Sequence, residues 1–260
     1  RLVARLEGAR ITLVDPRVEH WYQPGFSLVA AGLRPPSYVV SRTTDWLPQG
    51  VALVPEAAAE IDPEAKTVVT EAGTRIDYDH LVVAAGIELD HDAIEGFSLD
   101  MVGRDGIGAL YAGPDHAART YAAFARFAET GGRAVSTRPA TEMKCAGAPL
   151  KHTFLLEDVT TRTAGAGKAE ILYATPYDNH FGVPIVSERI RMLFHDRGIG
   201  TLMRHELKAV EPGRKVAVFD TPDGLREEPY DYLHVIPPQR AAKVVRDSPL
   251  PWADKWVGQG

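Results

Sequence analysis

The chain of 260 residues holds a single cysteine, Cys145, in the stretch Thr141-Glu-Met-Lys-Cys-Ala-Gly-Ala-Pro-Leu-Lys151. A cysteine acts as nucleophile or redox centre only as its thiolate, so its surroundings decide whether it does chemistry. Lys144 adjoins it, and Glu142 and Lys151 lie close by in sequence. Upstream, Gly132-Arg-Ala-Val-Ser-Thr137 reads as a short buried strand. Downstream, Pro149, Phe154, Leu155 and Val159 recur at helical spacing, with proline at a first-turn position. Strand, loop and helix in that order put Cys145 where backbone N–H groups and the helix dipole favour negative charge. Two readings stand at this point: a reactive thiolate, or a small hydrophobe packed in the interior as free cysteines often are. Glu142 and Lys144 either tune such a thiol or are simply solvated.

Two further segments carry candidate binding groups. Ile11-Thr-Leu-Val-Asp15 is an apolar strand ending in an acid, the place where a dinucleotide-binding fold hydrogen-bonds a ribose. Asp15 with Pro16 is equally a turn opener. Leu81-Val-Val-Ala-Ala-Gly86 reads as an apolar strand whose last residues, Ala85 and Gly86, let backbone approach a flat ligand. The alternative is a buried parallel strand that ends in a turn.

The elements that must position these groups alternate. Phe26 to Leu33 reads as a small apolar helix after the turn Tyr22-Gln-Pro-Gly25. Trp46 to Pro55, Ala57 to Pro63 and Lys66 to Ile76 carry strand and turn signals of a β-meander. A helix is predicted from Pro114 to Thr130, with Ala117, Tyr121, Phe124 and Phe127 on its core face. Ala169 to Thr175 supplies the second strand of a βαβ unit, and Ile185 to Arg197 a helix ended by Gly198. Lys215 to Phe219 and Tyr232 to Ile236 supply later strands. The fold class is α/β: two Rossmann-like domains, incomplete at both ends. The first domain is expected over residues 1–98 and the second, with the cysteine loop, over 99–238, while 239–260 return toward the first. Arg1 to Gly8 resembles the last turns of a helix, which in such a fold follows a strand and a Gly-rich turn of about 20 to 30 residues. Asp254 to Gly260 stops without a closing element.

Composition excludes other classes. A formal net charge of −6 with interspersed charges leaves no basic stripe to track phosphates, so no nucleic-acid partner is expected. One cysteine rules out a disulfide within this sequence, and the nine histidines are scattered, so no metal site is expected. No run of about 18 apolar residues is present.

Lys-Cys-Ala-Gly-Ala-Pro-x-Lys resembles the flavin-facing cysteine loop of the sulfide:quinone oxidoreductases, FAD-dependent relatives of the pyridine nucleotide-disulfide oxidoreductases. Trp21 to Gly32, Tyr78 to Gly86 and Tyr232 to Pro238 are similar to that family in the same order. The resemblance implies FAD as cofactor, with Asp15, Pro16, Gln23, Pro24, Ala57, Ala58, Ala85, Gly86 and Pro238 around it, and Cys145, Lys144 and Glu142 in the chemistry. It implies sulfide or a small thiol as substrate and membrane quinone as oxidant. It further implies a peripheral membrane protein, expected on a bacterial inner membrane and open to homo-oligomers. A second cysteine, the Gly-Asp flavin motif and an amphipathic membrane anchor would lie beyond Gly260.

Arg138 to Pro149 has one glycine where a nicotinamide-binding unit needs a Gly-rich phosphate turn, which disfavours NAD(P)H as donor. The expected chemistry passes two electrons to flavin as a sulfur–sulfur bond forms at Cys145. Pro237-Pro-Gln-Arg-Ala241 also resembles the flavoprotein subunit of flavocytochrome c sulfide dehydrogenase, which donates to a haem partner. An NADH-dependent disulfide or quinone reductase and a non-catalytic flavoprotein-like scaffold complete the alternatives. His180 and His234 are candidates for proton transfer, or structural residues.

Overall fold

The computed structural model describes residues 3 and 5–251. The chain divides into two units, the first made of residues 1–21, 40–88 and 240–260, the second of 22–39 and 89–239. Asp254 to Gly260 lies outside the described residues, as does part of the segment ending at Gly8.

In the first unit, β1 (Ile11–Val14) is followed by β2 (Glu19–Trp21), which pairs antiparallel with β3 (Val40–Arg42). β1 itself pairs parallel with β4 (Val51–Val54), in register from Ile11↔Val51 to Val14↔Val54. β5 (Ala58–Asp62), β6 (Thr67–Thr70) and β7 (Arg75–Asp77) form the expected antiparallel meander. β4 therefore leaves the meander for the parallel pair. Leu81 to Gly86 forms no strand, against the sequence expectation. Val82 is 74% exposed. An all-apolar strand needs sheet partners and cover on both faces, and no described strand pairs with this segment. β8 (Ile87–Leu89) follows.

The second unit opens with α1 (Phe26–Ala30), shorter than the expected Phe26 to Leu33 because Gly32 turns the chain with φ +71°. Its sheet is parallel throughout, built from β9 (Ile107–Gly108), β10 (Gly132–Thr137), β11 (Ala169–Thr175), β12 (Gly200–Met203) and β16 (Tyr232–His234). The order is β12-β11-β10-β16-β9. α2 (Pro114–Thr130), α3 (Ala148–Thr160) and α4 (Pro184–Arg197) make the connections, and α4 ends at Gly198 in the left-handed conformation. β13 (Glu206–Glu211), β14 (Val216–Thr221) and β15 (Gly224–Pro229) form an antiparallel layer before β16. β17 (Gln239–Ala241) and α5 (Lys243–Arg246) follow β16.

The strand period of two explains the packing. Ala134, Ile171, Tyr173 and Tyr232 join a core with Phe124, Phe127, Leu150, Leu156 and Phe194 from the helices. Their alternates Val135, Leu172, Ala174 and Leu233 join a second core with Leu207, Ala217 and Phe219 from the antiparallel layer. Each fully buried side chain of this kind contributes roughly 1.5–3 kcal/mol. Tyr121 departs from the expected stripe on α2: it is 45% exposed, and its ring lies against Gly32. A Cβ at Gly32 would sit 2.4 Å from Tyr121 Cε2, so no larger residue fits without movement.

Candidate functional site

A parallel sheet binds ligands outside the carboxyl ends of its strands, at the point where strand order reverses. Here that point lies between β10 and β16, because the chain steps from β10 to β11 and β12 and later returns on the other side of β10. The cysteine loop leaves the end of β10. Thr137, the last residue of β10, donates its hydroxyl to the carbonyl of His234 at 2.9 Å and accepts from Ile236 N at 3.2 Å. These bonds clamp the two strand ends together.

Side chains hold the loop on both flanks. Tyr177, just past β11, donates its hydroxyl to Ala140 O at 2.6 Å. On the other flank Gln239 N donates to Thr141 Oγ1 at 2.8 Å, while Gln239 Oε1 accepts from Lys144 N at 3.1 Å. Cys145 is exposed, which decides against the packed-hydrophobe reading. Its carbonyl accepts from Ala148 N at 3.1 Å at the entry to α3.

Lys144 Nζ donates to Gln23 Oε1 at 2.5 Å, and Lys151 Nζ donates to Pro24 O at 2.8 Å. The structure thus brings together Gln23, Pro24, Lys144 and Cys145, four of the residues singled out in sequence. Glu142 is exposed, and its charge acts on Tyr177. Pro238 O accepts from Asp90 N at 2.9 Å.

Behind the loop lies a buried polar stack that the sequence reading left out except for His234. Tyr111 has a buried hydroxyl with no hydrogen-bond partner, and its ring meets that of His234 edge-on at 5.9 Å. His234 and His152 have ring centroids 4.0 Å apart, and His152 Nε2 lies 2.9 Å from the Tyr232 hydroxyl. Burial, with the nearby Cys145 charge, pushes the Tyr111 phenol far up. Burial pushes His152 down to about 3 and, with His152 beside it, holds His234 well below the usual histidine range. The stack is neutral at ordinary pH. His180 stands elsewhere, with Nε2 3.0 Å from Thr201 Oγ1. No spacing motif marks Tyr111, Gln239 or His152, because each is placed by the sheet from a distant part of the chain.

In the first unit, Asp15 and Ala57 both follow the carboxyl ends of the parallel pair β1 and β4. Asp15 N donates to Val54 O at 3.1 Å, and its Oδ1 accepts from Arg17 N at 2.9 Å in the local turn. Oδ2 makes no hydrogen bond with a described residue. Pro16 is exposed, and Ala58 opens β5 half-buried. Ala85 and Gly86 are exposed, and a Cβ at Gly86 would meet nothing within 4 Å. An open carboxylate oxygen at a parallel strand end and bare small residues fit the adenosine half of a dinucleotide. Among the described residues no cluster of metal-ligating side chains occurs, and no helix is long and apolar enough to cross a membrane.

The fold is that of the α/β oxidoreductases with FAD- and NAD(P)-binding-type Rossmann domains, here with a cysteine loop where the second domain's phosphate turn would stand. By sequence the chain is similar to the sulfide:quinone oxidoreductases. It is 33% identical to the mouse mitochondrial sulfide:quinone oxidoreductase, over 99% of this chain and 57% of that protein. It is 32% identical to the Dictyostelium discoideum mitochondrial enzyme of that name, over 92% and 52%. The solved structure of sulfide:quinone oxidoreductase from Aquifex aeolicus superimposes with a TM-score of 0.73 at 25% identity, covering 91% of this chain and 54% of that one. The chain spans about half the length of these relatives. No protein-family model matches the sequence.

Proposed function

We propose that this chain is part of an FAD-dependent oxidoreductase that oxidises sulfide, or a related small thiol or persulfide, at Cys145. Electrons pass to membrane quinone, and the protein works at a membrane surface as a peripheral protein. The observation that carries this reading is an exposed Cys145 on a loop pinned by Gln239 and, through Lys144, by Gln23. The sequence kinship with sulfide:quinone oxidoreductases supports the choice of sulfide and quinone.

Asp15, Pro16, Ala57, Ala58, Ala85 and Gly86 would hold the adenosine half of FAD, and Gln23, Pro24 and Pro238 would lie near its ring. FAD held there would supply a two-electron acceptor for the sulfur chemistry. Cys145 as thiolate takes up the sulfur. Thiolate and hydrosulfide together give a Cys145 persulfide, one proton and two electrons, so charge and atoms balance. Lys144, bonded to Gln23, and the amino end of α3 flank the cysteine. Gln239 and Thr141 hold the loop in place, and the neutral Tyr111 hydroxyl, which has no partner in the structure, would be available as a donor to the sulfur anion.

The test is anaerobic. Full-length protein mixed with sulfide should lose its oxidised flavin absorbance, whereas NADH should leave it unchanged. Cys145→Ser should retain FAD and fail to bleach with sulfide. Bleaching by sulfide in that variant at the wild-type rate would overturn the mechanism, and bleaching by NADH alone would favour a nicotinamide-dependent reductase.

A further inference from the structure

Arg138, the residue after β10, is a buried cation with no counter-charge. It is 7% exposed, and its backbone N donates to Ala174 O at 3.0 Å, which ties it to β11. Its side chain makes no ion pair with a described residue: the neutral Tyr173 hydroxyl is the polar group that acts on it, and Nε and Nη1 are shut off from solvent without acceptors. The guanidinium lies over the Tyr177 ring at 4.4 Å from its centroid, and the bond from Tyr177 to Ala140 O fixes that platform. Tyr173, on β11, presents a buried hydroxyl beside it, with no hydrogen bond of good geometry and only the neighbouring Arg138 and Thr175 side chains within reach. The neighbouring carboxylates do not answer the charge: Glu206 is paired with Lys208 at 2.8 Å, and Glu142 is exposed.

A guanidinium stays protonated in a protein and brings five donors in a fixed fork. Burying such a group without acceptors is costly, and an aromatic face offsets only part of that cost. An apolar residue would serve packing better, so the position calls for a ligand that supplies the missing charge and acceptors. It also stands at the carboxyl end of the central strand, beside the point where strand order reverses. We propose that Arg138 anchors a binding site for a small oxyanion of sulfate or carboxylate size, with the Tyr173 hydroxyl as a second donor and the Tyr177 ring as its wall. The site is separate from the thiol chemistry at Cys145, although the same loop begins at Arg138.

Thermal unfolding of the full-length protein is measured in sodium sulfate and in sodium acetate, with ionic strength held constant by sodium chloride. A ligand that binds only the native state raises the midpoint saturably, whereas a general salt effect does not saturate. The wild type should show a saturable rise with at least one anion. Stronger binding of sulfate assigns a free tetrahedral oxyanion, and stronger binding of acetate assigns a carboxylate carried by an organic molecule. Arg138→Gln should weaken the apparent affinity by at least about tenfold. Should that variant not fold, Arg138→Lys keeps the charge, loses the fork and should bind several-fold more weakly. No saturable rise in the wild type, or an unchanged titration in the folded variant, overturns the proposal. Neither flavin nor sulfide enters the readout, so this result stands or falls apart from the proposed activity.

Discussion

Lys151 donates from Nζ to the carbonyl of Pro24 at 2.8 Å, and through that bond the first turn of α3 holds a turn 127 residues earlier in the chain. With the parallel bond from Lys144 to Gln23, two lysines of the cysteine segment grip one short loop. The lysines are thereby structural fasteners as well as sources of positive charge.

Lys151→Met should release one end of that grip. The bond is exposed, so the stability loss is expected at only about 0.5–1 kcal/mol. Hydrogen exchange gives the sharper measurement: the Gly25 amide, bonded to Tyr22 O at 3.0 Å, should exchange faster. Unchanged protection at Gly25 would show that the turn holds itself.

Gly32→Ala meets two obstacles, a positive φ and the Tyr121 ring. The combined cost should be about 2–4 kcal/mol by denaturant titration. In the Gly32→Ala/Tyr121→Ala double variant the clash disappears and the backbone cost remains. The two changes should therefore be non-additive; strict additivity would place the Tyr121 ring elsewhere.

His152 and His234 both ionise with more difficulty in the folded chain than in the unfolded one. Between about pH 6.5 and the folded value of about 3 for His152, the unfolded state binds more protons, so stability falls as pH falls through that window. The slope should approach about 1.4 kcal/mol per pH unit for each histidine. Urea midpoints at pH 7 and pH 5 measure it, and His152→Gln should flatten the dependence. An equal slope in that variant would put the acid sensitivity elsewhere.

Tyr111→Phe removes the buried, unpartnered hydroxyl that we propose as a donor to the Cys145 anion. A hydrogen bond to the charged form favours it, so its loss should slow alkylation of Cys145 by iodoacetamide several-fold at neutral pH and move the midpoint upward. An unchanged alkylation profile would detach Tyr111 from the thiol.

Asp15→Ala should weaken retention of FAD by the full-length protein by about tenfold after desalting. A carboxylate that serves only the Arg17 amide would leave retention untouched.

The local signals were legible in the sequence because they depend on neighbours along the chain. Proline at the second position of α3, the apolar period of α2 and Gly198 after α4 placed those helices within a residue or two. The strand–loop–helix order likewise pointed to Cys145. Leu81 to Gly86 misled, because apolar composition states a need for sheet partners and does not supply them. Tyr121 misled in a similar way: helical spacing assigns a face, but Gly32 decides what that face meets. Gln239, Tyr111, His152 and Arg138 carry no signature at all. Their meaning arises only when parallel pairing brings β10, β11 and β16 together and leaves polar groups from distant segments buried side by side, where low dielectric turns an unmet donor into a decisive energetic fact.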